Sequence, residues 1–172
     1  KAVKETFGKK AVVQRCQVHK KRNVLAHLPK SEQENVSKRL TMAYREFDYE
    51  KANSSLELLA KEMDLRYPKA SDSLREGLEE TLTVHRLRVP GLLRETLSST
   101  NAMESANSVC AGVLRRVTNF KHGGTTLRHA AAGFMEAERS FHRVRGYKQI
   151  PSLKMNLARL TETGDWSILG VA

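Results

Sequence analysis

The stretch TNAMESANS, residues 100–108, opens the most regularly patterned helix of the sequence. Apolar residues recur along it at alternating spacings of three and four, which is typical of a helix with one buried face; they are Met103, Ala106, Cys110, Val113 and Val117. At about 100° per residue, the opposite face carries Glu104, Ser108, Ala111 and Arg115. The pattern therefore predicts an exposed carboxylate on the first turn of a helix, among small residues.

Glu104 has two interpretations at this point. Asn101 is a favourable N-cap residue, and Asn101-x-x-Glu104 matches a capping box, in which the glutamate bonds the backbone N–H of the cap. An exposed carboxylate in open surroundings is also a candidate for a metal-binding or catalytic group. The helix alone does not decide between them.

Composition indicates a folded, basic protein. The chain has 172 residues, of which 40% are hydrophobic, enough for a sizeable core. Its 30 Lys and Arg against 19 Asp and Glu give a net charge of +11, spread along the chain. Such a surface favours a polyanionic partner such as nucleic acid, although basic charge alone is weak evidence.

Cysteine usage and hydropathy bear on the compartment. Cys16 and Cys110 lie far apart and suggest no disulfide framework, which fits a reducing, intracellular setting. There is no signal-peptide pattern and no long apolar run, so we predict neither export nor a membrane span.

Residues 11–18 (AVVQRCQV) predict the one strand of the sequence, because they are β-branched and bounded by lysines. A single strand cannot bury itself, so we expect its partners upstream of Lys1 or in another chain. From Lys20 to about Arg88, helical patterns separated by short connections predict an α-helical bundle, with Asp48 as one N-cap. Its exposed positions carry mixed charge and are interpreted as a solvated surface.

A second strong helical stripe follows the loop Lys121-His122-Gly123-Gly124. It comprises Leu127, Ala130, Phe134, Ala137, Phe141 and Val144, and Gly146 is expected to end the helix. The basic, glycine-rich loop fits either contact with a nucleic-acid backbone or a plain turn, and it lacks the ending of a P-loop. A last short helix is expected from Pro151 through Leu160, and residues 161–172 show no pattern.

Cys16-x-x-His19 places two zinc-ligand types together, but a structural zinc site needs four ligands and no second pair is present. Nucleophilic catalysis by a Cys–His pair requires the two groups within hydrogen-bond reach and stays open as an alternative.

Three segments, in order, resemble Mutator-type bacterial insertion-sequence transposases. Residues 13–23 (VQRCQVHKKRN) resemble the Cys-x-x-His segment of that family, and residues 97–107 (LSSTNAMESAN) resemble the segment that bears its catalytic glutamate. Residues 127–147, which include AERSFHRV, resemble its final helix. The similarity extends from Lys1 to about Leu153. Family members often carry tryptophans near the start of the last long helix, where this chain has Phe120 and His129, so a base-stacking role for such tryptophans is in doubt here.

The resemblance implies a fold that is mainly α in this chain, as the C-terminal part of an α/β ribonuclease H-like catalytic domain with one strand. Residues 1–19 would supply a helix end and the strand, residues 20–99 an all-helical insertion, residues 100–160 the helices that complete the core, and residues 161–172 a tail.

The resemblance also implies a DDE transposase, in which two upstream aspartates and one glutamate hold two Mg²⁺ (or Mn²⁺) ions. Two metals about 3.5–4 Å apart stabilise the attacking and leaving oxygens of phosphoryl transfer. Only Glu104 maps onto this triad, so the two aspartates are expected before Lys1 and this chain alone is expected to be inactive. The intact enzyme would cut DNA at inverted-repeat ends and join the freed 3′-hydroxyls to target DNA.

Further implied features are a bacterial cytoplasmic, nucleoid-associated location and a homo-oligomer on DNA, with no membrane partner. Cys16, His19 and Asn101 would support the active site structurally. The candidate phosphate contacts are Arg115, Arg116, Lys121, Arg128, Arg139 and Arg143. The alternative is a non-enzymatic helical DNA-binding or assembly module, in which Glu104 only caps its helix.

Overall fold

The structure is a computed structural model that describes residues 5–6, 8, 11–117, 119–120 and 122–170. Chain contacts divide it into two compact units, the first formed by Lys1–Ser99 with Arg145–Ala172 and the second by Thr100–Val144. The α-helices are α1 Gln17–Ala26, α2 Lys30–Arg45, α3 Tyr49–Met63, α4 Pro68–Arg75, α5 Leu78–Thr81, α6 Thr83–Arg86, α7 Gly91–Leu97, α8 Asn101–Leu114, α9 Gly123–Glu138 and α10 Ile150–Thr163. Short 3₁₀ helices span Tyr147–Gln149 and Trp166–Leu169.

The first four helices form a closed ring, in which α1 and α3 each pack against both α2 and α4. Their apolar stripes meet in one core. Asp48 caps α3, since its Oδ1 accepts a 2.9 Å hydrogen bond from the backbone N–H of Lys51. The predicted helical bundle is therefore confirmed, and its core comprises Val24, Leu28, Val36, Leu40, Ala43, Ala52, Leu56, Leu59, Ala60, Met63, Ala70, Leu74, Leu78 and Leu82.

A buried ammonium group joins the first and last helices of the ring. Lys20 on α1 is only 4% exposed, and its Nζ donates to the backbone carbonyls of Ser73 (2.6 Å) and Glu76 (2.5 Å) at the end of α4. The last carbonyls of a helix have no partner within the helix and carry its negative dipole end, so they suit a cation. Burial lowers the pKa of Lys20, and the nearby Glu76 carboxylate opposes that shift.

The predicted strand over residues 11–18 is wrong, because residues 11–16 have no regular structure and α1 begins at Gln17. Arg15 N–H donates to the Glu80 carbonyl (2.8 Å), and Thr83 Oγ1 donates to the Val13 carbonyl (2.7 Å). Gln14 Oε1 accepts from the N–H of Val84 (2.9 Å). Helix ends and side chains of the same chain thus provide the partners that a neighbouring strand was expected to provide.

This result corrects the predicted fold class. The described residues contain helices and irregular segments but no strand, so the predicted surviving strand is contradicted and the α/β ribonuclease H-like assignment is not supported. The mainly α character of the chain is confirmed.

A second apolar cluster brings the end of the chain back to the first unit. It contains Leu87 and Leu93 from the segment around α6 and α7, with Leu160 of α10 and Leu169 of the last 3₁₀ helix. Trp166 packs against it and lies under the Arg86 guanidinium, at 4.2 Å from the ring centroid. Residues 161–170, which show no sequence pattern, are therefore held by packing.

The segments that flank the second unit are neighbours within the first unit. Thr96 Oγ1 donates to the Arg145 carbonyl (3.3 Å), and the Leu93 N–H donates to Gln149 Oε1 (3.3 Å). Gly146 has a φ of 77°, and a Cβ there would clash with the Leu93 backbone. Glycine is thus required both by its conformation and by the close approach.

No helix of the described residues is long and apolar enough to cross a membrane.

Burial of His85 predicts a pH-dependent stability. Its Nε2 donates to the Tyr44 carbonyl (3.1 Å), and burial lowers its pKa to about 4. As pH falls below about 6.5, the unfolded chain binds a proton that the folded chain excludes, so stability declines until about pH 4. We expect the free energy of unfolding to fall by about 2 kcal/mol more in the wild type than in His85→Gln between about pH 7.5 and pH 5, measured by urea unfolding. Equal declines in both proteins would contradict this assignment.

Candidate functional site

The second unit is a pair of helices, α8 and α9, that pack through small residues. Its buried positions are Ala106, Cys110, Gly133 and Ala137. A Cβ placed on Gly133 would lie 2.5 Å from Cys110 Sγ and 3.2 Å from its Cα, so the helices are in close contact there. The Cys110 thiol donates to the Ala130 carbonyl at 3.7 Å.

The predicted buried stripe of α8 is only partly observed. Ala106 and Cys110 are buried, but Met103 is 62% exposed and Val113 is 47% exposed. The close approach at Gly133 explains the difference, since a contact through small residues covers only a narrow part of the helix surface. The opposite face, which includes Glu104 and Arg115, is exposed as predicted.

Glu104 lies on the first turn of α8, but the predicted cap is wrong by one residue. Thr100 is the N-cap, and Asn101 is the first residue of the helix. The Thr100 hydroxyl donates to Glu104 Oε1 at 2.5 Å, and the Glu104 N–H donates to the Thr100 carbonyl at 2.8 Å. Threonine is itself a favourable N-cap residue, but here its hydroxyl bonds the Glu104 side chain and not a backbone N–H. The contact orients the Glu104 carboxylate.

Within the described part of the chain, no group of three or more His, Cys, Asp or Glu side chains could hold a metal ion. Mg²⁺ takes oxygen ligands, and Glu104 is of the right chemical type for one of them. A carboxylate offers about four lone-pair positions, so the bond from Thr100 does not exhaust its capacity. Glu104 therefore fits a shared metal site that draws further ligands from elsewhere, but not a site formed by these residues alone.

The predicted DNA-contact residues occupy different settings. Arg115 and Arg116 follow α8, are exposed, and have no hydrogen-bond or ion-pair partner for their guanidinium groups within the described residues. Arg128 Nε donates to the Gly124 carbonyl (3.3 Å), and Arg139 pairs with Glu136 (2.8 Å). Arg143 is exposed. Lys121 lies outside the described residues.

The helix that carries several of these arginines is shorter than predicted. α9 ends at Glu138, so Phe141 and Val144 lie beyond it and are exposed, and the expected end at Gly146 is wrong. Ser140 explains part of this, because its hydroxyl donates to the Ala137 carbonyl (2.7 Å) and competes with continuation of the helix.

Cys16 and His19 lie in the first unit, whereas Glu104 lies in the second. Cys16 is the N-cap of α1 and is partly buried, and His19 is exposed on the first turn of the same helix. The two residues thus lie at the start of a helix. The prediction that they lie at the end of a strand is wrong. Their support of the active site stays a prediction.

Known proteins similar to this chain are transposases of bacterial insertion sequences. The transposase for insertion sequence element ISRM5 of Rhizobium meliloti (strain 1021) is 29% identical over 144 residues, which is 84% of this chain and 36% of that protein. The transposase for IS6120 of Mycolicibacterium smegmatis is 31% identical over 105 residues, or 61% of this chain and 32% of that protein. The transposase for IST2 of Acidithiobacillus ferrooxidans is 30% identical over 109 residues, or 63% and 35%.

The family follows from a broader match. The profile described as "Transposase, Mutator family" matches residues 1–143. The chain belongs to the Mutator family of transposases, as the sequence resemblance predicted. No solved structure matches it. The chain spans about a third of the length of the curated relatives.

The contact at Gly133 predicts a steric test of the helix pair. Gly133→Ala places a methyl group against Cys110, so we expect a loss of about 1–3 kcal/mol in the stability of the second unit, seen as faster amide hydrogen exchange in α8 and α9. Gly112→Ala is the matched control, because a Cβ there meets nothing within 4 Å. Alanine is the better helix former, so that variant should be neutral or stabilised by about 0.5–1 kcal/mol. Similar exchange rates in the two variants would contradict close packing.

Proposed function

We propose that this chain is part of a DNA transposase. That enzyme cleaves DNA at the ends of its element and transfers the strands to target DNA in a metal-dependent reaction. The family match over residues 1–143 is the observation that carries this proposal. Glu104 is the proposed metal-binding carboxylate of this chain, because it is exposed on a helix turn within the matched region.

The chemistry requires converging oxygen ligands. When bound, two Mg²⁺ or Mn²⁺ ions stabilise the attacking and leaving oxygens of an in-line phosphoryl transfer. Glu104 contributes one carboxylate to such a site, and the remaining acidic ligands come from outside the described residues. Thr100 is a positioning residue, since its hydrogen bond limits the rotation of the Glu104 side chain.

The second unit also offers phosphate contacts. Arg115 and Arg116 are exposed side by side at the end of α8, and their guanidinium groups have no partner among the described residues. Arginine donates in a fork geometry that fits phosphate oxygens. Such contacts hold and orient the DNA backbone without reading its sequence.

The alternative function is a non-enzymatic DNA-binding or assembly module. The hydrogen bond from Thr100 to Glu104 favours it, because that bond joins two side chains at the start of α8 and needs no metal. Under this alternative, Glu104 contributes to stability alone.

Replacement of Glu104 separates the two functions. In a transposase of the relatives' length that contains this chain, we expect Glu104→Gln to reduce cleavage of a duplex carrying the element ends by more than about 100-fold, because the neutral amide is a poor metal ligand. Duplex binding and the melting temperature should be unchanged. Glu138→Gln is the control, since it removes an equal charge from the exposed last residue of α9.

The opposite outcome would support the structural alternative. If Glu104→Gln preserved cleavage and lost about 1 kcal/mol of stability, Glu104 would stabilise the start of α8 and would not be a catalytic residue.

Charge removal at the end of α8 tests the DNA contacts. We expect Arg115→Gln with Arg116→Gln to weaken duplex binding equally for unrelated sequences and to reduce the slope of log K against log salt by about 1.8, since each phosphate contact contributes about 0.9. Arg139→Gln should have a smaller effect, because Arg139 already pairs with Glu136. The measurement is fluorescence anisotropy over a salt series, and an unchanged slope in the double variant would exclude these contacts.

A further inference from the structure

A basic cleft lies between α1, α2 and α7 of the first unit, with a cavity of about 430 Å³. Three cations and one carboxylate are among its lining residues, which include Lys21, Arg45, Arg94, Glu95, Thr41 and Ser98. The cations come from three different helices, so only the packing of the bundle brings them together. We define the basic cleft by these six residues.

Lys21 is held in place by a neutral partner. Its Nζ donates to Thr41 Oγ1 at 2.7 Å, and the Thr41 hydroxyl in turn donates to the Ser37 carbonyl at 2.7 Å. No carboxylate pairs with Lys21 in the part of the chain that the structure describes. An ammonium group has three donors, so two stay available for an anion.

Arg94 fixes a second positive charge in the basic cleft. Its Nη atoms donate to the backbone carbonyls of Arg45 (3.1 Å) and Glu46 (2.7 Å) at the end of α2, and its guanidinium lies 5.5 Å from the Phe47 ring centroid. The Arg45 side chain is exposed, and its guanidinium has no ion-pair partner within the described residues. Arg94 is therefore a positioning group, and Lys21 and Arg45 are the groups available to a ligand.

Several other cations of the first unit are neutralised by neighbouring carboxylates. The ion pairs are Arg15 with Glu76 and Glu80, Lys38 with Glu34, Arg39 with Glu62, and Arg75 with Asp64. The basic cleft is different, because Lys21 Nζ bonds a hydroxyl group and neither Lys21 nor Arg45 forms an ion pair within the described residues, although the Glu95 carboxylate also lines the cleft. Three cations against one carboxylate around a concave surface favour an anionic ligand.

We propose that the basic cleft binds the phosphate backbone of duplex DNA through Lys21 and Arg45. This inference rests on the DNA partner of the proposed function but assigns a contact to the first unit, where the sequence suggested only a solvated surface. Thr41 is a positioning residue for the Lys21 ammonium group, and Arg94 holds the backbone at the end of α2, which carries Arg45. The contact carries no base specificity, since lysine and arginine address phosphate oxygens alone.

The test compares two double variants of the 172-residue chain by fluorescence anisotropy, with an unrelated duplex of about 20 base pairs over a salt series. Lys21→Gln with Arg45→Gln is expected to weaken binding several-fold at about 0.1 M salt and to reduce the log–log salt slope by about 1.8, for two lost phosphate contacts. The control is Lys51→Gln with Lys61→Gln, which removes two exposed charges from α3. This control variant should have a log–log salt slope within about 0.5 of the wild-type slope.

A charge-conserving double variant tests whether a loss of binding comes from misfolding and not from the lost charges. Lys21→Arg with Arg45→Lys keeps both charges, so it should retain affinity within about twofold and the wild-type slope. Melting temperatures of the three variants should agree.

Three outcomes would overturn the proposal. An unchanged slope in the glutamine variant would exclude phosphate contact, and an equal loss in the control would reduce the effect to net charge. A loss confined to a single-stranded RNA probe would assign another partner. These results are independent of the cleavage assay on Glu104→Gln. If Glu104→Gln retained cleavage while Lys21→Gln with Arg45→Gln weakened DNA binding, the catalytic role of Glu104 would be excluded and the DNA contact at the basic cleft would be supported.

Discussion

The Lys20 ammonium group at the end of α4 is the contact on which the first unit depends. Removing an ammonium from water costs several kcal/mol, and here two backbone carbonyls and the Glu76 carboxylate offset that cost. The same contact closes the ring of four helices, because it is made between α1 and α4. Arg15 pairs with Glu76 and Glu80 immediately beside it, so the segment before α1 is fixed against α5 by the same group of charges.

The helical part of the fold could be predicted because its information is local. Stripes such as Leu56 and Leu59 repeat with the period of a helix, and they are buried as expected. The strand at residues 11–18 could not be judged this way, since a short β-branched run has the same pattern whether a strand or a helix end lies beside it. Side chains distant in sequence, above all Thr83, decided the outcome. The end of α9 was missed in part because the Ser140 hydroxyl bonds a carbonyl in the last turn of the helix.

The sequence likewise predicted only part of the candidate site. The exposure of Glu104 follows from its place on the helix, and its role as a metal ligand stays a prediction, because the described residues form no metal-binding group around it. No sequence pattern predicted the basic cleft. Lys21, Arg45 and Arg94 are separated by more than a helix each and look like ordinary solvated charges until the bundle brings them together.

The adjacency of the segments around Leu93 and Arg145 has a topological consequence. Residues 100–144 leave the first unit and return to it at neighbouring points, in the manner of a domain inserted into a host. The entropic cost of closing a chain around an inserted segment grows only with the logarithm of the segment's length. A change in the length of residues 100–144 should therefore add little to the entropic cost of folding the helical bundle.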